Sequence, residues 1–372
     1  MRGLVLLVAV TLLAACSPGP QPVPQPTTNG SAALTTTPPT GPPEVPSRAQ
    51  SVVWTTREGV FVQSRYASRP IGASAVDGFS WSADGRLAAG LVEPSIAEQG
   101  RQLMLWDPDA DGVQAVKCPG CQGAVIIDGE VRTAEGNTIH RYAVPDLAPR
   151  GDIPIAVEPA DPDVPGIPPA VIGATPEFTI VKHAPLVGPK GGPEFILAVD
   201  ATGAVRWEYP VEGNLGVVLT ALDPTGTQLA FPVGTHFHCS SVNTRLVVLD
   251  LATGRTAHLP EQPRPDTGNT TITDVWWNGP ELVVPTATTP PTPEADCDVR
   301  STLRLSVLAG RRWRTAPDDE AARALRVLPS GDRITVAEDG TLELDRSGTR
   351  ETLGTGVEQV WSPPAPEAVP LW

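Results

Sequence analysis

"FSWSADGRLAAG", Phe79 to Gly90, reads as two short apolar strands joined by a polar turn. Ser82 and Asp84 can bond the local backbone, and Gly85 accepts the positive φ that a tight hairpin demands. The same figure returns as "VIIDGEVRTA" (Val125 to Ala134), "TALDPTGTQLAF" (Thr220 to Phe231), "DVWWNGPELVVP" (Asp274 to Pro285) and "RVLPSGDRITVA" (Arg326 to Ala337). A weaker copy stands at "AVIGATPEFTIV" (Ala170 to Val181). Turn glycines are expected at Gly85, Gly129, Gly226, Gly279 and Gly331.

A second hairpin comes after the first. Its copies are "LMLWDPDADGVQAV" (Leu103 to Val116), "FILAVDATGAVRWEY" (Phe195 to Tyr209), "LVVLDLATGRTAHL" (Leu246 to Leu259), "LRLSVLAGRRWRTA" (Leu303 to Ala316) and "LELDRSGTRETL" (Leu342 to Leu353). No sustained apolar stripe of helical period is present; "DDEAARALRV" (Asp318 to Val327) is the nearest, and it is short. Two hairpins recurring every 45 to 53 residues or so make a four-stranded unit of the length used by propeller blades. The fold class expected is all-β, a β-propeller.

"SWSADGRLAAG" resembles the S-P-D-G-x-x-L-A hairpin of the TolB-like and WD-type propellers. The resemblance runs from about Ser51 to Trp372. It implies an architecture and leaves function open, because propellers host many unrelated activities.

The two ends of this region complement each other. "VEQVWSPPAPE", from Val357, matches the innermost strand and first turn of a unit, yet no outer strands come after it. "SVVWTT", "GVFVQS" and "RPIGAS", within Ser51 to Ser74, read as outer strands with no inner one. Joined, they make one blade and close a ring with no free sheet edge. The count is then seven blades, or six if Pro145 to Pro169 is a loop joining two of them. Val369 to Trp372 is a candidate second C-terminal strand. Trp54, Trp81, Trp106, Trp207, Trp276, Trp277 and Trp361 are expected between blades.

Upstream, "MRGLVLLVAVTLLAAC" has one positive charge, a short apolar run and small residues before Cys16. The run is too short to span a bilayer and matches a signal-peptide core. Leu13-Ala14-Ala15-Cys16 resembles the bacterial lipobox, which implies acylation of Cys16 and cleavage before it. The organisation expected is a signal peptide over 1–15, the lipidated Cys with a Pro/Thr-rich linker over 16–48, and the propeller over 49–372. The linker has too little apolar surface to offset its chain entropy.

The formal net charge of -15 and a pI near 4.8 argue against nucleic acid or anionic headgroups as partners. A bias of 24 Arg to 3 Lys with 43 Pro is similar to that of high-GC actinobacteria. Besides Cys16, four cysteines remain, an even set that reads as two disulfides in an exported chain. Cys118 with Cys121 would pinch a loop between blades. Cys239 with Cys297 would staple equivalent loops of adjacent blades.

Other constellations are weaker. His236 and His238, with Cys239, Asp296 and Asp298, form an alternative metal set; the disulfide reading is preferred and no metal ligand is assigned. "DPDADG" (Asp107 to Gly112) mimics the start of an EF-hand loop but lacks its twelfth-position Glu, so it reads as a hairpin turn. "AVDATGAVRW" (Ala198 to Trp207) resembles one repeat of the quinoprotein propellers, echoed only by "LDLATGRTA" (Leu249 to Ala257). Neither a nucleophile elbow nor a P-loop is visible, so no catalytic residue or cofactor is assigned.

The function expected is a lipid-anchored, extracytoplasmic binding or scaffold module without catalysis. Its partner would be another envelope protein or a cell-wall component, and its location the outer face of the cell membrane. The alternatives are a glycan-acting hydrolase or lyase, and a cofactor- or metal-binding propeller.

Overall fold

The computed structural model describes residues 51–364 and Leu371, apart from 65–67, 72, 95–99, 111, 158–166, 185–193, 213–218, 239–240, 263–267, 291–300 and 318–321. The chain separates into Met1–Glu44 and Val45–Trp372, and all the described residues belong to the second unit. Every regular element among them is a β-strand.

Three strands come first, β1 (Val52–Thr56), β2 (Gly59–Gln63) and β3 (Ser68–Pro70). Blade 1 is β4 (Ala73–Trp81), β5 (Ala88–Pro94), β6 (Gln102–Asp107) and β7 (Gly112–Lys117). Blade 2 is β8 (Cys121–Ile127), β9 (Glu130–Glu135), β10 (Thr138–Ala143) and β11 (Pro149–Pro154). Blade 3 is β12 (Ile167–Ala174), β13 (Phe178–Ala184), β14 (Glu194–Asp200) and β15 (Val205–Val211). Blade 4 is β16 (Ala221–Leu222), β17 (Gln228–His238), β18 (Ser241–Asp250) and β19 (Arg255–Thr256). Blade 5 is β20 (Asn269–Ile272), β21 (Trp276–Asn278), β22 (Glu281–Thr289), β23 (Thr302–Ala309) and β24 (Arg312–Thr315). Blade 6 is β25 (Ala324–Val327), β26 (Arg333–Val336), β27 (Leu342–Arg346) and β28 (Thr349–Gly354). The last strand, β29 (Val357–Trp361), pairs antiparallel with β1, with Val53 opposite Trp361 and Trp54 opposite Val360. The order β29-β1-β2-β3 makes the seventh blade and closes the ring.

The turn glycines explain why these segments fold back. Gly85, Gly129, Gly226, Gly279 and Gly331 all have positive φ, between 57° and 85°, which a side chain would strain. In blade 5 the inner position is shared by β20 and β21, which both pair with β22 and leave 273–275 between them.

Apolar residues on the blade faces interlock across blade boundaries. Val52, Trp54, Leu328, Ile334, Leu344 and Val360 join blade 7 to blade 6. Val53, Val62, Phe79, Met104 and Trp106 join it to blade 1, with Trp81 and Trp361 against them. Trp207 packs between blades 3 and 4, Trp277 between 4 and 5, and Trp276 between 5 and 6.

Three expectations need correction. Six blades are excluded, because Pro149–Pro154 within the Pro-rich stretch is a strand of blade 2. Residues 69–74 are not one strand: β3 ends at Pro70 and β4 begins at Ala73. Leu371, the one described residue of 369–372, lies in no strand. It is buried against Trp276, Val283, Leu305 and Leu325, between blades 5 and 6.

Candidate functional site

Antiparallel order sorts the connections between two faces. Links between blades, and turns between second and third strands, leave from one face; all other turns leave from the opposite face. Between described strands, every interval of seven or more residues belongs to the first group: 95–101, 155–166, 185–193, 212–220, 257–268, 290–301 and 316–323. The opposite face has tight turns, such as 128–129, 279–280, 310–311 and 347–348. Binding residues concentrate on long connections held by a rigid scaffold, so the long-connection face is the candidate site.

Two hairpins extend furthest towards it. β17 and β18 have 11 and 10 residues, and β22 and β23 have 9 and 8. Threonines lace the two blades together there. Thr271 Oγ1 donates to the Val242 carbonyl at 2.6 Å, and Ile272 N donates to Thr244 Oγ1 at 2.6 Å. The tips are 239–240 and 290–301, so Cys239, Cys297, Asp296 and Asp298 lie outside the described residues, as does Cys16. The expected pairing of Cys239 with Cys297 therefore lies outside the described residues as well. His236 and His238 are on β17, beside the tip.

Cys118, in the link between blades 1 and 2, and Cys121, the first residue of β8, are both buried, with their sulfurs at disulfide distance and Cα atoms 5.3 Å apart. The loop is held by Cys118 N donating to the Arg101 carbonyl at 3.0 Å and Arg101 Nη1 donating to the Cys121 carbonyl at 2.5 Å. Beside it, on the same face, His140 Nδ1 lies 2.8 Å from Asp152 Oδ1 and its Nε2 lies 3.5 Å from Glu135 Oε2. Tyr142 Oη lies 3.8 Å from Cys118 Sγ. Burial first, then the Glu135 and Asp152 charges, push the Tyr142 phenol above its ordinary pKa. The phenol therefore stays a donor. Nothing in the spacing of Glu135, His140 and Asp152 marks them in the sequence; they meet because three adjacent strands bring them into register.

Near the inner strands lies a small cavity of about 30 Å3, lined by the polar Asp274, Arg323 and Glu358 and the apolar Leu219, Val336 and Val360 among others. That is room for a water or two. Arg326, behind it, pairs with Asp274, lies over the Trp276 ring at 5.4 Å, and donates to the carbonyls of Leu325 and Val360 at 2.9 and 3.0 Å. Both charges are spent on each other and on backbone, so this cluster holds inner strands together. A second buried charge cluster has the same character. Arg132 Nε and Arg141 Nη2 each donate to the Glu130 carboxylate at 2.6 Å, and Arg132 Nη1 reaches Thr179 Oγ1 in blade 3 at 3.0 Å. Burial would raise the Glu130 pKa, but the bonds from Arg141 and Arg132 outweigh it and hold it low.

The motif-like stretches resolve into turn and packing chemistry. Asp107 Oδ1 accepts from Asp109 N at 2.9 Å and Ala110 N at 3.2 Å, the hairpin turn expected there. In "AVDATGAVRW", Asp200 accepts from Thr202 and Ala204, and Trp207 Nε1 donates to the Leu251 carbonyl of blade 4 at 2.8 Å. A Cβ on Gly254, in the echoing copy, would stand 2.7 Å from the Trp207 ring. The two copies dock one blade on the next.

The strand order defines the class: a seven-bladed β-propeller closed through a composite blade. Similar solved structures include a dihydro-heme d1 dehydrogenase, NirN, in complex with DHE (14% identity, covering 88% of this chain and 78% of that one, TM-score 0.46). Another is the β-propeller domain of the trilobed protease from Pyrococcus furiosus, described as having an open velcro topology (9%, 82% and 93%, TM-score 0.48). A third is from a mitotic checkpoint complex (14%, 82% and 88%, TM-score 0.47). At these identities none of them bears on what this chain binds. No protein-family model matches the chain, and no curated protein matches it.

Proposed function

We propose that this chain is a lipid-anchored, non-catalytic binding module on the extracytoplasmic face of the cell membrane. In this reading 1–15 is removed, Cys16 is acylated, and the Pro/Thr-rich linker to residue 48 is a semi-stiff tether of up to about 100 Å. The propeller then presents its long-connection face to another envelope protein or a cell-wall component. The observation that carries the reading is the segregation of every long connection to one face.

Photo-crosslinking on intact cells tests this. A photoreactive side chain is placed at Arg57, Glu212 or Glu338, exposed on the long-connection face, or at Asp128, Arg311 or Ser347, exposed on the turn face. The first set is expected to give discrete covalent adducts in the membrane fraction, and Cys16→Ser should release the protein to the medium. Adducts from the turn face only, or a Cys16→Ser protein still held in the membrane, would overturn the reading.

A further inference from the structure

We propose that Cys118, Cys121, Glu135 and His140 form a binding site for a zinc-type divalent cation when the cysteine pair is in its dithiol form. The two sulfurs and a Glu135 carboxylate oxygen all lie within 4.8 Å of one another, and His140, with Nε2 3.5 Å from Glu135 Oε2, stands beside that set and would turn in to complete it. Cysteines with two residues between them, one oxygen and one imidazole nitrogen make a donor set suited to a tetrahedral thiophilic cation.

Three further observations point the same way. A Cβ on residue 120 would stand 2.1 Å from Glu135 Oε1, so glycine there is what lets the carboxylate lie over the cysteine loop. His140 Nδ1 is 2.8 Å from Asp152 Oδ1, and a ligating histidine usually gives its other N–H to a carboxylate in this way. His140 Nε2 lies 3.5 Å from Glu135 Oε2, so an imidazole nitrogen and a carboxylate oxygen already stand side by side there. Tyr142 Oη, 3.8 Å from Cys118 Sγ, is placed to donate to the thiolate. Glu135 is half exposed, which leaves the cation a route in from solvent.

The disulfide is the form without the cation. An external dithiol converts it by exchange: the carrier closes a disulfide of its own, and two protein thiols result. Cation binding then displaces the two thiol protons and joins both sulfurs to the metal. Oxidation by a disulfide-bearing carrier runs the sequence backwards and expels the cation. The site is separate from the proposed docking role and does not depend on it.

Cobalt is the probe. The full chain, reduced with a phosphine and titrated with Co2+, should bind one equivalent with the intense visible bands and sulfur-to-cobalt charge transfer of a tetrahedral thiolate site. The oxidised chain should show neither. Glu135→Gln and His140→Ala should each weaken binding by about tenfold or more, with folded circular dichroism unchanged. Cys239→Ser with Cys297→Ser should leave the bands intact, since those thiols are outside the site. No stoichiometric binding after reduction, or bands indifferent to both Glu135→Gln and His140→Ala, would overturn the proposal.

Discussion

Arg326, in the inner strand of blade 6, closes on Asp274 of blade 5: its Nη2 lies 3.0 Å from Oδ1, and its Nη1 meets Oδ2. The same Nη2 donates to Val360 of the closing strand at 3.0 Å. One buried side chain thus ties the inner strands of blades 6 and 7 to the segment between β20 and β21 of blade 5. Removing one partner strands the other charge in the interior, so Arg326→Ala or Asp274→Ala should each cost about 3–5 kcal/mol in urea unfolding. Arg326→Met with Asp274→Leu removes both charges and should recover most of that loss. Single-variant losses below about 1 kcal/mol, the range of exposed ion pairs, would mean the pair is solvated.

Gly123 interrupts the register of β8 against β9 with a φ of +66°, and a Cβ there would stand against the Val171 carbonyl of blade 3. Backbone strain and the clash act together. Gly123→Ala should lower stability by roughly 1–3 kcal/mol or more, whereas Gly129→Ala, in an open turn with nothing within 4 Å, should cost less. Equal melting temperatures for the two variants would contradict the close approach of blades 2 and 3.

The Asp200 carboxylate accepts from the Thr202 hydroxyl and from the amides of Thr202 and Ala204, and it meets Arg206 Nη2 at 2.6 Å. The Thr202 bond first, then the others, pull its pKa from 3.8 down to about 2. Because the folded value is the lower one, the stabilisation is complete above the unfolded pKa and is lost as pH falls from about 4 towards 2. Carboxyl carbon resonances should show Asp200 titrating near pH 2, and Thr202→Ala should move the midpoint upward. A midpoint near the ordinary value in the unaltered chain would contradict the turn geometry.

Non-reducing peptide mapping should join Cys118 to Cys121 and Cys239 to Cys297. In the chain-entropy treatment the longer closure contributes roughly 4 kcal/mol. A crossed pairing would contradict the contact between Cys118 and Cys121, whose Cα atoms are 5.3 Å apart.

Much of the architecture was legible because turn chemistry is local. Gly85, Gly129, Gly226, Gly279 and Gly331 announce positive φ within four residues of chain, and the flanking strands are set by them. The composite blade was legible for a related reason: Trp361-Ser362 repeats Trp81-Ser82, and one copy lacks what the other supplies. The outer pair of blade 2 was not legible because its turn, 144–148, has no glycine; Leu147, with a φ of +53°, takes the left-handed position instead. The ligand-like and charge-bearing contacts were not legible at all. Asp274 and Arg326 are 52 residues apart, and His140 meets Asp152 through cross-strand register. No motif spacing encodes such meetings, which depend on how the strands align.

Ring closure is tested most directly by truncation. β29 is paired with β1, and its Val357 and Val360 are buried against blade 6, so removing it exposes apolar surface on two blades and reopens a sheet edge. Each large buried side chain contributes roughly 1.5–3 kcal/mol, against a whole-domain margin of about 5–15 kcal/mol. Deleting Val357 to Trp372 should abolish the cooperative melting transition or drive the protein to aggregate. Deleting Ser17 to Pro46 should leave the melting temperature nearly unchanged. A soluble truncation at Gly356 that still melts cooperatively at the parent temperature would contradict closure of the ring through its last strand.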